Sequence, residues 1–466
     1  MIMTNTRKPF IHPYIPNSVP RTKQEMLKEV GAGSIEELFE AIPERLRSKG
    51  KMNLPEPILS EHDLRRHVEE LLSRNQTTDE LISFLGAGCY NHFVPSICDE
   101  VNSRGEFLTA YAGEPYDDHG RFQALFEYTS MMAELLNMEV VNVPTYDGFQ
   151  AAATSLRMAC RIYGRNEVLL PATISPDKRS KILDYLKPEI KVEYTDYAHT
   201  GLLDLEDLKR KISEQTAAVY LENPGYLGIL ELHAEEIGGI SHQNGAVFVV
   251  SVDPISLGVL APPADYGADI VCGDIQSLGM HMNYGGGQAG FIATRDEEKY
   301  VMQYPSRLFG IAPTEVEGEY GFGDVAYERT SFAIREEGNE WVGTAAALWG
   351  ITAGVYLALM GPQGMREVGE AILSRTRYAM QVLGRIKGIR LPFTGSPSFR
   401  EFVVNFDESG KTVQEINKAL LSKGILGGKD LTKEFPALGN SALYCFTETT
   451  SQVMIDRHAA ALEEIL

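Results

Sequence analysis

From about residue 120 the chain alternates between stretches with apolar residues at helical spacing and short, almost wholly apolar runs. The helical stretches are Arg121–Leu136, Gly148–Ile162, Pro176–Tyr185, Leu203–Ile212 and Glu235–Gln243. The apolar runs are Glu167–Ile174, Val192–Tyr197, Ala217–Leu221, Ala246–Val252, Ile270–Gly273 and Gly290–Thr294. Runs that are apolar throughout, separated by helix-length segments, predict βαβ units and a mostly parallel sheet covered on both faces. A long apolar helix is predicted over Thr344–Leu359, broken by Gly361-Pro-Gln-Gly364 from the next helix, Met365–Leu383, because proline removes a helix hydrogen bond. Strand Phe399–Phe406, helix Val413–Lys423, strand Ala442–Phe446 and a last helix predict a small α/β domain.

The first 85 residues read differently. Residues 9–20 carry four prolines and predict an extended arm. Short helices are expected at Arg21–Val30, Ser34–Ala41, Glu61–Ser73 and Thr78–Leu85, with Ser34 and Glu37 spaced as a capping box. An arm followed by helices suits wrapping of a partner subunit or a neighbouring domain. The resulting division is 1–85 for arm and helices, 86–340 for a large α/β domain, and 341–466 for linking helices and the small domain.

Charge narrows the function classes. A net charge of −21 argues against a nucleic-acid or anionic-membrane surface, which requires clustered Lys and Arg. Five scattered cysteines (89, 98, 160, 272 and 445) form no CxxC or Cys/His metal spacing and suit a reducing compartment. The N-terminus lacks an apolar core of signal-peptide length, and no run of about eighteen apolar residues occurs. A cytoplasmic protein is expected.

The candidate chemistry centres on two strands. Val249–Asp253 reads as a buried strand ending in a carboxylate, and Gly267–Gln276 as a second one, followed by Gly285-Gly-Gly287. This layout resembles that of pyridoxal-phosphate enzymes of the aminotransferase fold, in which an Asp meets the pyridinium nitrogen and a Lys forms the Schiff base. Here the lysine position holds Gln276, and no lysine occurs between Asp253 and Lys299. An amide nitrogen is not a nucleophile, so covalent attachment of the cofactor to this chain is not expected. Asp147 and Gly148 open a helix whose amides could cradle a phosphate, or Asp147 could simply cap it. Ser175 stands where a ring-stacking residue is expected, and a serine cannot stack. His281 is an alternative base, or a loop histidine. Cys89 has no activating base nearby in sequence. Tyr90, Asn91 and His92, beside Gly86 and Gly88, could line a pocket shared with a partner, or pack an interface.

Four blocks carry a family resemblance: Ser83–Pro95, Arg104–Tyr111, Tyr146–Ala153, and Gly273–Gln276 with Tyr284–Gly287. In order and over nearly the whole chain they resemble subunit 1 (alpha) of glycine dehydrogenase (decarboxylating), the P-protein of the glycine cleavage system. The resemblance implies an aminotransferase-like fold (PLP fold type I), a homologous beta-type subunit that carries pyridoxal phosphate, and a lipoylated H-protein that receives the aminomethyl group after glycine is decarboxylated. It leaves Asp147, Gly148, Ser175, Asp253 and Gln276 as vestigial cofactor positions. Three stretches depart from the family pattern: Gly113–Gly120, Ser175-Pro176 and Arg335–Gly343. A related complex acting on another small amino acid, a non-catalytic scaffold, and an independent enzyme holding the cofactor non-covalently, with His281 as base or with none, therefore stay open as alternatives.

Overall fold

The computed structural model describes residues 11–12, 14–48, 53–107, 119–305, 307–331, 333–340 and 346–466. Contacts divide the chain into two units, 1–75 and 76–466. The predicted boundary at 85 falls ten residues later than this division. The reason is that β1 (Ile82–Ser83) pairs in parallel with β12 (Ile425–Leu426), which ties the segment after Asn75 to the C-terminal part. The helix expected at Thr78–Leu85 is instead this turn and strand.

In the first unit, α1 (Pro20–Glu29) and α2 (Glu61–Leu72) form where expected, and the Ser60 side chain caps α2 by accepting from the Asp63 amide. The stretch expected as a helix from Ser34 forms only a 3₁₀ turn, Glu36–Phe39, although Ser34 and Glu37 do bond to each other. Neither α1 nor α2 buries a residue.

The second unit is built on a seven-stranded sheet in the order β2-β8-β7-β6-β5-β3-β4. Its parallel members are β3 (Glu167–Pro171), β4 (Lys191–Thr195), β5 (Thr216–Glu222), β6 (Val247–Ser251) and β7 (Ile270–Asp274). Two antiparallel strands, β8 (Gly290–Thr294) and β2 (Val140–Val141), complete one edge. Alternation of side chains feeds two cores. Phe248 and Val250 of β6 join Val219 and Leu221 on one face, whereas Val247 and Val249 join Ala218 and Tyr220 on the other. That explains runs without polar gaps: a parallel strand covered on both sides has no wet face.

The helices are α3 (Ser96–Asn102), α4 (His119–Leu136), α5 (Gly148–Tyr163), α6 (Pro176–Leu186), α7 (Leu205–Lys211), α8 (Ala234–Gln243) and α9 (Glu298–Val301); α4 to α8 stand where predicted, whereas α3 and α9 were not expected. The long α10 (Ala347–Leu383) consists of two helical stretches that meet at a kink at Gly361, whose φ of 57° and ψ of −177° are not helical, so the break falls where Gly361-Pro-Gln-Gly364 predicts it. A hairpin, β9 (Leu308–Pro313) and β10 (Tyr320–Val325), was not expected. The C-terminal layer comprises β11 (Glu401–Asn405), α11 (Val413–Leu421), β13 (Lys429–Asp430), β14 (Ser441–Cys445) and α12 (Gln452–Ile465), with strand order β11-β14-β13. Most of the Gly113–Gly120 stretch, the end of the Arg104–Tyr111 block, and the start of the helix predicted from Thr344 lie outside the described residues. No helix among the described residues is long and apolar enough to cross a membrane.

Candidate functional site

A cavity of about 100 Å³ lies at the carboxyl ends of β5, β6 and β7, where ligands bind in open α/β sheets. Each strand delivers a charged group to it: Glu222 from β5, Asp253 just beyond β6, and Asp274 from β7. The first turns of α5 and α6 add Gly148 and Lys178, the segment 87–90 adds Tyr90, and the entry to β11 adds Arg400 and Glu401.

Asp253 is the pivot. Its side chain accepts the Ile255 amide at 3.3 Å and the Ser277 hydroxyl at 3.0 Å. Arg400 Nη1 stands 2.8 Å from Asp253 Oδ2, both side chains being nearly excluded from solvent. The same guanidinium lies 3.2 Å from the centroid of the Tyr90 ring and 3.2 Å from His92 Nε2. Burial opposes charge on Arg400, but Asp253, together with Tyr90, Cys445 and Glu401, outweighs it and the guanidinium is held firmly protonated. Arg400 has a φ of 63°, an uncommon conformation for a side chain of this size.

The loop carrying Tyr90 is fastened from several directions. Gln276 donates from Nε2 to the Tyr90 and Met280 carbonyls at 3.0 Å each, and its Oε1 accepts the Tyr90 amide at 3.0 Å. The Tyr90 hydroxyl donates to Glu401 Oε2 at 2.9 Å, and the Ala87 amide donates to Glu401 Oε1 at 2.7 Å. Burial pushes both the Tyr90 phenol and the Glu401 carboxyl upward. His92 Nδ1 is 2.7 Å from Glu448, and the Asn91 carbonyl accepts from Thr447 and Thr449. Tyr90 and His92, expected to line a pocket shared with a partner, thus have their polar atoms engaged within this chain.

Asp147 caps α5 by accepting the Gln150 amide at 2.7 Å. The Gly148 amide, the donor that a phosphate at this helix start would use, instead donates to Asp274 Oδ2 at 2.8 Å. A Cβ at residue 148 would meet Asp274 Cβ at 2.9 Å, so the glycine serves close packing of α5 on β7. Burial pushes the Asp274 carboxyl up to about 7, against the hydrogen bonds from the Gln276 and Gly148 amides. Ser175 caps α6 by accepting the Lys178 amide. Lys178 Nζ is 2.5 Å from Glu222 Oε1, which also accepts the Tyr220 hydroxyl. Burial alone would lower the Lys178 pKa, but Glu222 outweighs it and the net shift is upward, so this amine is an ion-pair member and not a nucleophile.

His281 does not line the cavity. It is half-exposed and sits 3.0 Å from Asp99, which removes it as a base for this site. Gly285–Gly287 likewise lie outside the cavity lining. Cys89 is turned to the Met282 carbonyl, and burial pushes its thiol up, away from thiolate reactivity. Among the described residues, no group of three or more His, Cys, Asp or Glu could hold a metal ion.

Pyridoxal phosphate does not fit these residues. Asp253 already has a cation, the Gly148 amide already donates to Asp274, and Gln276 offers no amine. The free volume of about 100 Å³ also falls short of the roughly 300 Å³ at which ligand pockets begin.

Residues 12–451 match the family model described as glycine cleavage system P-protein. The chain belongs to that family. It is 41% identical over 98% of its length to the probable glycine dehydrogenase (decarboxylating) subunit 1 of Staphylothermus marinus, covering 98% of that protein. The corresponding protein of Desulfitobacterium hafniense is 36% identical, over 97% of this chain and 99% of the relative. A crystal structure of glycine decarboxylase (P-protein) of the glycine cleavage system, in inhibitor-bound form, superposes with a TM-score of 0.85 at 33% identity, over 98% of this chain and all of that one. A NifS-like protein matches in fold alone, with a TM-score of 0.62 at 12% identity, over 83% of this chain and 99% of that one. This P-protein family member has the expected aminotransferase-like fold.

Arg400, Glu401, Lys178, Glu222, Ser277 and Asp274 were missed from sequence. One signal was present: Arg400-Glu401 stands at the start of an apolar strand run, and charges entering a core require partners.

Proposed function

We propose that this chain is the lysine-less alpha subunit of a glycine dehydrogenase (decarboxylating) complex. It acts with a homologous beta-type subunit that holds pyridoxal phosphate, and with a lipoylated H-protein that receives the aminomethyl group from glycine. The observation that carries this reading is the state of Gln276. All three of its side-chain hydrogen bonds go to backbone atoms of Tyr90 and Met280, so the Schiff-base position has become a structural tie. Full-length relatives named as subunit 1 support a two-subunit enzyme.

The uncovered face of α2 supports a partner. Leu64, Val68, Leu71 and Leu72 recur at helical spacing and are each 41–55% exposed. The chain contributes a rigid half of the assembly and walls close to the shared centre, while the covalent chemistry belongs to the beta-type subunit. Co-expression with that subunit should give a stable hetero-oligomer that exchanges bicarbonate into the glycine carboxyl group only when both chains are present. Separate elution at micromolar concentration, or exchange by this chain alone, would overturn the proposal.

A further inference from the structure

We infer that the cavity is closed to pyridoxal phosphate, covalent or not, because this chain supplies its own substitutes for the cofactor's charged contacts: Arg400 for the ring cation and Asp274 for the phosphate. A buried carboxylate without a cation is strongly disfavoured. Asp253 meets that demand with the Arg400 guanidinium at 2.8 Å. That guanidinium also lies over the Tyr90 ring, 3.2 Å from its centroid, where a cation gains from the ring's negative face. The Gly148 amide at the start of α5 donates to Asp274 Oδ2 at 2.8 Å, so the hydrogen bond a phosphate would take there is already used.

Two further observations show that Arg400 is held there at a cost. Its backbone is left-handed, which side chains of its size avoid unless the surroundings impose it. Its Nε and the facing Asp253 Oδ2 are buried without a well-aligned hydrogen bond, so charge and not bond geometry holds the pair. The arrangement makes the chain self-sufficient in the absence of cofactor, and directs any pyridoxal phosphate in an assembly to another subunit. It depends on the geometry of this chain alone, so it stands or falls separately from the proposed enzyme complex.

The left-handed φ also suggests a clean variant. Arg400→Gly removes the guanidinium and relieves the backbone at once. The full chain carrying it should have a lower Tm, because Asp253 loses its cation. Methylguanidinium at about 10 mM should restore much of that loss by mass action while leaving the wild-type Tm unchanged. Pyridoxal phosphate titrated into the wild-type chain should give no saturable change between 330 and 430 nm up to about 1 mM. Saturable binding by the wild type at micromolar concentration would overturn the inference, as would a folded Arg400→Gly chain with undiminished Tm and no response to methylguanidinium. Should Arg400→Gly fail to fold, the pair Arg400→Met and Asp253→Asn provides the test. The double variant is expected to melt above both single variants, and melting below either one would refute the counter-ion role.

Discussion

Gln276 and Tyr90 are joined by two hydrogen bonds of 3.0 Å that close on each other: the glutamine amide donates to the tyrosine carbonyl and accepts from the tyrosine N–H. A side-chain amide is suited to this because it offers a donor and an acceptor in one plane, whereas a lysine ammonium offers donors only. The residue that holds the 86–93 loop is therefore an amide, which is not a nucleophile.

Gln276→Lys should accordingly fail to restore cofactor attachment and should also destabilise the chain. The Tyr90 amide would lose its acceptor in a buried setting, at a cost of about 1–3 kcal/mol. Borohydride treatment with pyridoxal phosphate, followed by mass spectrometry, should find no stoichiometric adduct on the introduced amine, and the urea midpoint should fall. A full-occupancy adduct at that position would show that the cavity accepts the cofactor after all.

Tyr90→Phe removes the donor to Glu401 Oε2 while the Ala87 amide still reaches Oε1. The variant should lose about 1–2 kcal/mol of stability for the vacated buried acceptor. Its assembled complex should turn over about ten-fold more slowly, the scale set by one hydrogen bond. Normal exchange activity in a complex of normal composition would show that the loop only packs.

Charge placed on the uncovered face of α2 separates assembly from folding. Leu64→Asp with Val68→Asp should leave the stability of the isolated chain within about 0.5 kcal/mol of the wild type, because exposed sites tolerate substitution. The same pair should weaken association with the beta-type subunit by ten-fold or more, the scale of losing about 1.4 kcal/mol at an interface. Unchanged association would place the partner elsewhere.

His458 predicts a pH effect whose sign can be worked out. It is fully buried, stacked on Phe84 at 4.2 Å, and neither ring nitrogen has a hydrogen-bond partner. Burial lowers its pKa from 6.5 to about 3. Between those values the unfolded chain takes up a proton that the folded chain refuses, so stability falls with acid by about 1.4 kcal/mol per pH unit. Asp274, raised to about 7, acts in the opposite sense: below 7 the folded chain holds a proton that an unfolded carboxylate of pKa about 3.9 gives up. The diagnostic is therefore a difference. Urea unfolding of wild type and His458→Phe should diverge as pH falls from 6.5 toward 4, with the variant gaining relative stability. Parallel curves would mean that His458 is protonated in the fold.

Legibility followed the physics of each element. The parallel strands could be read because burial on both faces leaves near-continuous apolar runs, and the helices between them because their apolar positions recur at helical spacing. The β9–β10 hairpin was missed because nearly all its residues are only partly buried or exposed and three are glycines, so no alternation marks them. Thr78–Leu85 was misread because Leu81, Ile82, Phe84 and Leu85 are compatible with either period; pairing of Ile82 with Ile425 settles it as strand. At the site, Asp147 as a helix cap, Ser175 without a stacking surface and Gln276 without an amine were legible as residue types at the ends of recognisable elements.

By itself, the sequence determined the parallel strands with the helices between them, the family, and the presence of an amide and not an amine at position 276, since each follows from local pattern or from the chemistry of one side chain. Only the tertiary structure decided which side chains meet at the cavity. Arg400 faces Asp253, Glu401 receives Tyr90, and Asp274 occupies the start of α5 because strands and loops far apart in the chain converge on one end of the sheet. Ion pairs and hydrogen bonds of that kind are set by three-dimensional proximity and exclusion from water, and no local spacing encodes them.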